Sequence, residues 1–106
     1  MANSRVQRGR QTQTLVAEWL RCHGYPNAQP VAAFLDGKDI LNTPGLSIEV
    51  KATASTPILG AVRQAVNNAD PNDVPLVVWR PNGYGPATID QWIIATQLQH
   101  LKGLLT

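Results

Sequence analysis

Between Arg10 and His23 the apolar residues Leu15, Val16, Trp19 and Leu20 recur at helical spacing, and Gly24 is a natural stop just beyond them. The first predicted element is therefore a helix. Tyr25 to Pro30 reads as a turn or loop, and Val31 to Leu35 as a short apolar strand bounded by Pro30 and Asp36-Gly37. From Leu46 to Ala52 apolar and polar residues alternate, so a strand there sends Leu46, Ile48 and Val50 to one face and Ser47, Glu49 and Lys51 to the other. Lys38 to Leu41 forms the preceding arm of a predicted hairpin, turning through Asn42 to Gly45. Helical spacing returns at Ile58, Leu59, Ala61, Val62, Ala65, Val66 and Ala69, and Asp70-Pro71-Asn72 ends it. Val74 to Trp79 is an apolar run broken only by Pro75, the pattern of a buried strand, and Pro81 to Pro86 is a loop. Gln91 to Thr96 suits either a final edge strand or the start of a helix; the favoured reading is a short strand, then a C-terminal helix bearing Leu98, Leu101, Leu104 and Leu105. This order predicts an α/β fold in which a small mixed central sheet is flanked by helices.

Length and composition narrow the picture. A chain of 106 residues fits a single domain with a core of its own and without disulfide staples. Its one cysteine, Cys22, has no partner for a disulfide or a zinc site and reads as a small semi-buried residue. No apolar run approaches the roughly 18 residues of a membrane span, and the start resembles no signal peptide, so a cytoplasmic protein without a membrane partner is expected. The net charge of +2 is too small to announce a nucleic-acid binder, but its distribution is uneven. Arg5, Arg8 and Arg10 crowd the start, where residues 1–9 read as a flexible basic leader, either a solvated tail or a phosphate-contacting arm.

Asp36, Asp39 and Glu49 cluster around the predicted hairpin. Asp36 falls in the turn before the first arm and reads as a loop residue, whereas folding back at Pro44-Gly45 brings Asp39 close to Glu49 and Lys51. Two carboxylates held close together repel one another unless one is protonated or a cation lies between them. An oxygen-rich site of that kind suits Mg²⁺ or Mn²⁺, with the Val50 carbonyl as a third oxygen ligand. Lys51 beside such an ion could orient or deprotonate a water, or neutralise charge growing on a phosphate. Together these parts describe metal-assisted hydrolysis of a phosphodiester.

Asp39, a gap of nine residues and then Glu49-Val50-Lys51 on an alternating strand is similar to the PD-(D/E)XK nuclease superfamily. Within it the chain looks most like the small phage and archaeal Holliday junction resolvases. The likeness runs through Arg8-Gly9, Gly24-Tyr25, Gly37-Lys38-Asp39-Ile40, Ile48-Glu49-Val50-Lys51-Ala52, a helix containing Gln64, and the Trp79 to Gly83 run. The resemblance implies a restriction-endonuclease-like αβββαβ core over residues 1–106 and an Mg²⁺-dependent endodeoxyribonuclease of DNA recombination, with Mn²⁺ able to substitute. It further implies a homodimer acting on four-way DNA junctions, in the host cell cytoplasm if phage-encoded. By the same resemblance Asp39 and Glu49 bind the metal, Lys51 is catalytic, and Gln64 is a helical glutamine facing the site. One departure stands out: relatives often supply a further acid from the first helix, where this chain has Gln11, Thr12, Gln13 and Thr14. A one-metal mechanism, with Gln11 or Thr12 holding a water, is the resulting expectation, and Glu18, further along that helix, reads as solvated.

Arg5, Arg8, Arg10, Arg63 and Arg80 are the expected DNA-backbone contacts, with Tyr84 in the glycine-containing loop beside them. Trp19, Trp79 and Trp92 sit at apolar positions that favour core packing over base stacking, while His23 reads as a helix-end residue and His100 as a surface residue. A PD-(D/E)XK nuclease of other specificity (nicking, exonuclease or repair) and a non-catalytic DNA-binding module with the same fold remain open.

Overall fold

The structure, a computed structural model, describes residues 4–31 and 37–105. Helix α1 (Ser4–Arg21) begins well before the predicted start near Arg10. Arginine and glutamine lose little rotamer freedom in a helix, so the polar stretch propagates it without an apolar period to betray it. Arg8 also ties this first part down, its Nε donating to Ala52 O at 2.9 Å and its Nη2 to Pro81 O at 3.4 Å. The leader expected over residues 1–9 is thus helical from Ser4 onward. The buried side of α1 is Thr12, Val16, Ala17 and Leu20, one helical stripe. Gly24, at φ 111°, takes the left-handed conformation that turns the chain away after α1.

Strand β1 (Gln29–Pro30) pairs antiparallel with β2 (Ile40–Leu41), and the Val31 N–H extends the ladder to Asp39 O at 2.9 Å. Most of the strand expected over Val31 to Leu35 lies outside the described residues, as does Asp36. The hairpin expected between Lys38–Leu41 and Leu46–Ala52 is a looser arrangement. The ladder partner of β2 is β1, and the link to β3 (Leu46–Lys51) is the Asp39 N–H donating to Ile48 O at 2.8 Å. Asn42 and Gly45, both at positive φ, turn the chain between β2 and β3.

Helix α2 (Ile58–Asn68) carries the chain from β3 to β4 (Val74–Trp79), which runs parallel to β3 from Leu46↔Val74 to Lys51↔Trp79. Strand β5 (Ile93–Ala95) then pairs antiparallel with β4, giving a mixed three-stranded sheet in the order β3-β4-β5. Pro75 is tolerated in the central strand because β5 reaches only Val77 to Trp79 on that side. A 3-10 turn at Leu98–His100 leads into the short α3 (Leu101–Leu105), so the C-terminal helix is reduced to little more than one turn. α1 covers one face of the sheet, its Val16 and Leu20 clustering with Ile48, Val50, Leu76 and Trp92, while α2 covers the other through Ala61, Val62 and Ala65 against Val77. The protein is therefore a small α/β fold with a mixed three-stranded sheet between helices and a separate two-stranded sheet. No helix among the described residues is long and apolar enough to cross a membrane.

Candidate active site

The alternation of β3 sends Glu49 and Lys51 to the face covered by α2, so this polar face is not solvated. Glu49 is only 2% exposed, and its Oε1 accepts from Asn68 Nδ2 at 2.7 Å. Lys51 Nζ donates to Gln64 Oε1 at 2.8 Å. Asp39 reaches the same place from the other arm, its Oδ2 accepting the Val50 N–H at 2.7 Å. Strand polarity also settles the direction of the Val50 carbonyl. Lys51 O faces β4, where it accepts the Arg80 N–H at 2.8 Å, and Ile48 O faces Asp39. Carbonyls alternate along a strand, so Val50 O lies on the Asp39 side, away from β4.

The Glu49 carboxyl is pushed up to about 7, chiefly by burial and further by the charge of Asp39 and a hydrogen bond to it, against the downward pull of the Asn68 hydrogen bond and of Lys51. A buried acid beside a second acid is a pair short of positive charge. Among the described residues no third His, Cys, Asp or Glu completes a metal-binding group with them, which leaves the Val50 carbonyl as the remaining protein oxygen of the expected set. All of these donors are hard oxygens, the chemistry that Mg²⁺ and Mn²⁺ select.

An open groove of about 730 Å³ between the Gly37 backbone and α2 is lined by both carboxylates, with Glu49 buried at its floor. Along its helical wall lie Gly60, Arg63, Gln64, Asn67 and Asn68. Arg63 is exposed there, within the groove that holds the two carboxylates. Asn68 has no counterpart in the sequence expectations. Its signal was available: it stands four residues after Gln64, on the same row of the helix.

Arg80 is elsewhere and does something else. It is 6% exposed, with Nε donating to Tyr84 O at 2.7 Å and Nη1 to Gln11 Oε1 at 3.0 Å and Thr12 Oγ1 at 3.2 Å. Its guanidinium also lies over the Trp92 ring, 5.4 Å from the centroid. Burial, with the charge of Arg8 nearby, lowers its proton affinity. Arg80, expected as a DNA-backbone contact, is instead buried as a core tie between α1 and the end of β4. Gln11 and Thr12 are engaged by Arg80 rather than holding water at the carboxylates, and Thr12 Oγ1 further donates to Arg8 O at 2.7 Å. Arg80→Ala, which strips three acceptors of a buried donor, is expected to cost about 2–4 kcal/mol in urea denaturation, whereas Arg63→Ala should stay within about 0.5 kcal/mol of wild type.

Arg8 is half-buried against the carbonyls of Ala52 and Pro81, just past Lys51, while Arg5 and Arg10 are exposed on α1. Tyr84 is 37% exposed on its loop, and Glu18 is exposed as expected. Cys22 is exposed rather than semi-buried, because it follows the last residue of α1 and points off the covered stripe. His23 closes the helix, its ring stacked on Trp19 at 3.9 Å and its Nδ1 bonded to Trp19 O at 2.7 Å. His100 is half-buried, with an unpartnered Nε2 among the described residues, instead of lying fully on the surface. Trp92 is buried, and Trp19 packs at the edge of the same core.

Comparison with protein-family models, with curated proteins and with solved structures found no match to this chain.

Proposed function

We propose that this chain is a metal-dependent endodeoxyribonuclease of the PD-(D/E)XK type with a restriction-endonuclease-like core, acting as a Holliday junction resolvase. The observation that carries the reading is the meeting of Asp39 and Glu49 in one open groove, with Lys51 bonded to Gln64 on its wall and each charged side chain held by a hydrogen bond. Mg²⁺, or Mn²⁺ in its place, held by Asp39, Glu49 and the Val50 carbonyl would supply charge neutralisation and Lewis-acid activation for phosphodiester hydrolysis. Asp39 is oriented for this by the Val50 N–H, and Glu49 by Asn68. Lys51, with its ammonium anchored on Gln64, faces the reacting phosphate, where it stabilises growing negative charge or relays a proton. Arg63, on the groove wall, holds a phosphate of the same strand, and Arg5, Arg8 and Arg10 offer further positive charge along α1.

A homodimer is part of the same reading, since two symmetric cuts are simplest with two related sites. It is supported by the apolar side chains left exposed near the C-terminal end: Ile94 is 60% exposed, Leu98 83% and Leu105 75%. The test is incubation with four-way junctions, linear duplex and single-stranded DNA in Mg²⁺, with Lys51→Ala as control. Paired symmetric nicks confined to junctions, lost in the control, are the expected result. Cleavage of linear DNA would instead indicate a nuclease of other specificity, and binding without cleavage a non-catalytic module.

A further inference from the structure

We propose that Asn68 is a positioning residue, its side-chain amide holding Glu49 and the backbone leading to Asp39 in one metal-binding arrangement. This rests on the reading of Asp39, Glu49 and Lys51 as a hydrolytic centre. Asn68 Nδ2 carries two hydrogens and has two acceptors, Glu49 Oε1 at 2.7 Å and Gly37 O at 3.5 Å. Gly37 stands two residues before Asp39 in the left-handed conformation, at φ 102°. One amide on α2 thus joins the two arms that supply the carboxylates.

The placement follows from a match of repeats. Gln64 and Asn68 are four residues apart on α2, a rise of about 6 Å. Lys51 and Glu49 are two residues apart on β3, a rise of about 6.6 Å. Their pairing is crossed in order, Gln64 with Lys51 and Asn68 with Glu49, because α2 runs back antiparallel to β3 before β4 begins. Each charged group on the strand therefore meets one amide on the helix.

The chemistry of those partners is selective. An amide orients a carboxylate without cancelling its charge, so the pair stays negative for a cation. A lysine at position 68 would neutralise it. In the same way Gln64 accepts from Lys51 without lowering the positive charge that faces the phosphate, as a glutamate would.

The test is Mn²⁺ binding to the DNA-free protein, followed by electron paramagnetic resonance, in wild type, Asp39→Asn, Asn68→Leu and Asn68→Ala. Asn68→Leu keeps the branched shape and the number of heavy atoms and removes the donor; Asn68→Ala removes both shape and donor. Both Asn68 variants are expected to bind Mn²⁺ about 10- to 100-fold more weakly, the usual effect of losing a hydrogen bond to a metal ligand. The Mg²⁺ concentration needed for half-maximal cleavage should rise by a similar factor. Mn²⁺ affinity within twofold of wild type in either variant, with unchanged circular dichroism, would overturn the positioning role and leave Asn68 as packing. Absence of Mn²⁺ binding by wild type, or its persistence in Asp39→Asn, would overturn the metal centre itself and this inference with it.

Discussion

Glu49→Gln is expected to slow junction cleavage by about 10³-fold or more while junction binding stays within a few-fold of wild type. The substitution is nearly isosteric, and its Oε1 still accepts from Asn68, so the geometry of β3 and α2 is kept. On the proposed reading, what would be lost is one of the two carboxylate ligands and the negative charge that would attract the cation. Junction binding is expected to rest instead on the arginines, which the change leaves in place: Arg63 in the groove and Arg5, Arg8 and Arg10 along α1. In chelator, where no metal offsets the carboxylates, the variant should bind junctions at least as tightly as wild type, because one repulsion between Glu49 and phosphate is gone. Single-turnover cleavage with gel-shift titration separates the two effects. A variant that cuts at near wild-type rate would remove Glu49 from the centre.

The same substitution should stabilise the metal-free protein at pH 8. The Glu49 carboxyl ordinarily titrates at 4.5 but is pushed up to about 7 in the fold, chiefly by burial. Between those values the folded protein keeps a proton that the unfolded chain has released. Raising the pH therefore shifts the balance toward unfolding, and the Glu49 contribution to stability, present below about 4.5, is lost by about 7. The loss amounts to about 3 kcal/mol. Urea denaturation across pH 4 to 8 should show wild type losing stability relative to Glu49→Gln through this window, the two curves separating on the alkaline side. Mg²⁺ at pH 8 should recover stability in wild type and not in the variant, since a ligand that binds only the folded state stabilises it by mass action. Parallel curves in the two proteins would mean that Glu49 ionises normally. The expected pattern is that of a buried carboxylate which lowers the stability of the metal-free fold at alkaline pH.

Much of the architecture was legible because burial imposes a period. Val74 to Trp79 is strand over the span its apolar run predicted, and α2 ends at Asn68, close to the breaker beginning at Asp70. Polar elements were less legible. The first turns of α1 contain no apolar stripe, and β1 and β2 are two-residue strands whose pairing is decided by a contact across residues that no local pattern announces. Arg80 is the sharpest case. An arginine ending a strand resembles a surface cation in sequence, but its acceptors on α1 lie 68 and 69 residues away and take it into the core. Asn68 is the opposite case: its spacing from Gln64 puts it on the same helical row, but a polar residue beside an apolar face usually meets solvent, and the carboxylate opposite is what gives that row its role.

By itself the sequence determined that Glu49 and Lys51 share one face of a strand, since the side-chain period there is two, and that a turn at Asn42 to Gly45 returns Asp39 toward them. Only the tertiary structure decided what that face meets. Because β3 and β4 are parallel, the chain between them must cross over the sheet, here as a helix, and α2 is laid over the polar face instead of leaving it to water. That covering buries Glu49, raises its proton affinity, and supplies Gln64 and Asn68 as neutral partners. The alternation placed the charges; the crossover helix turned them into an oriented site.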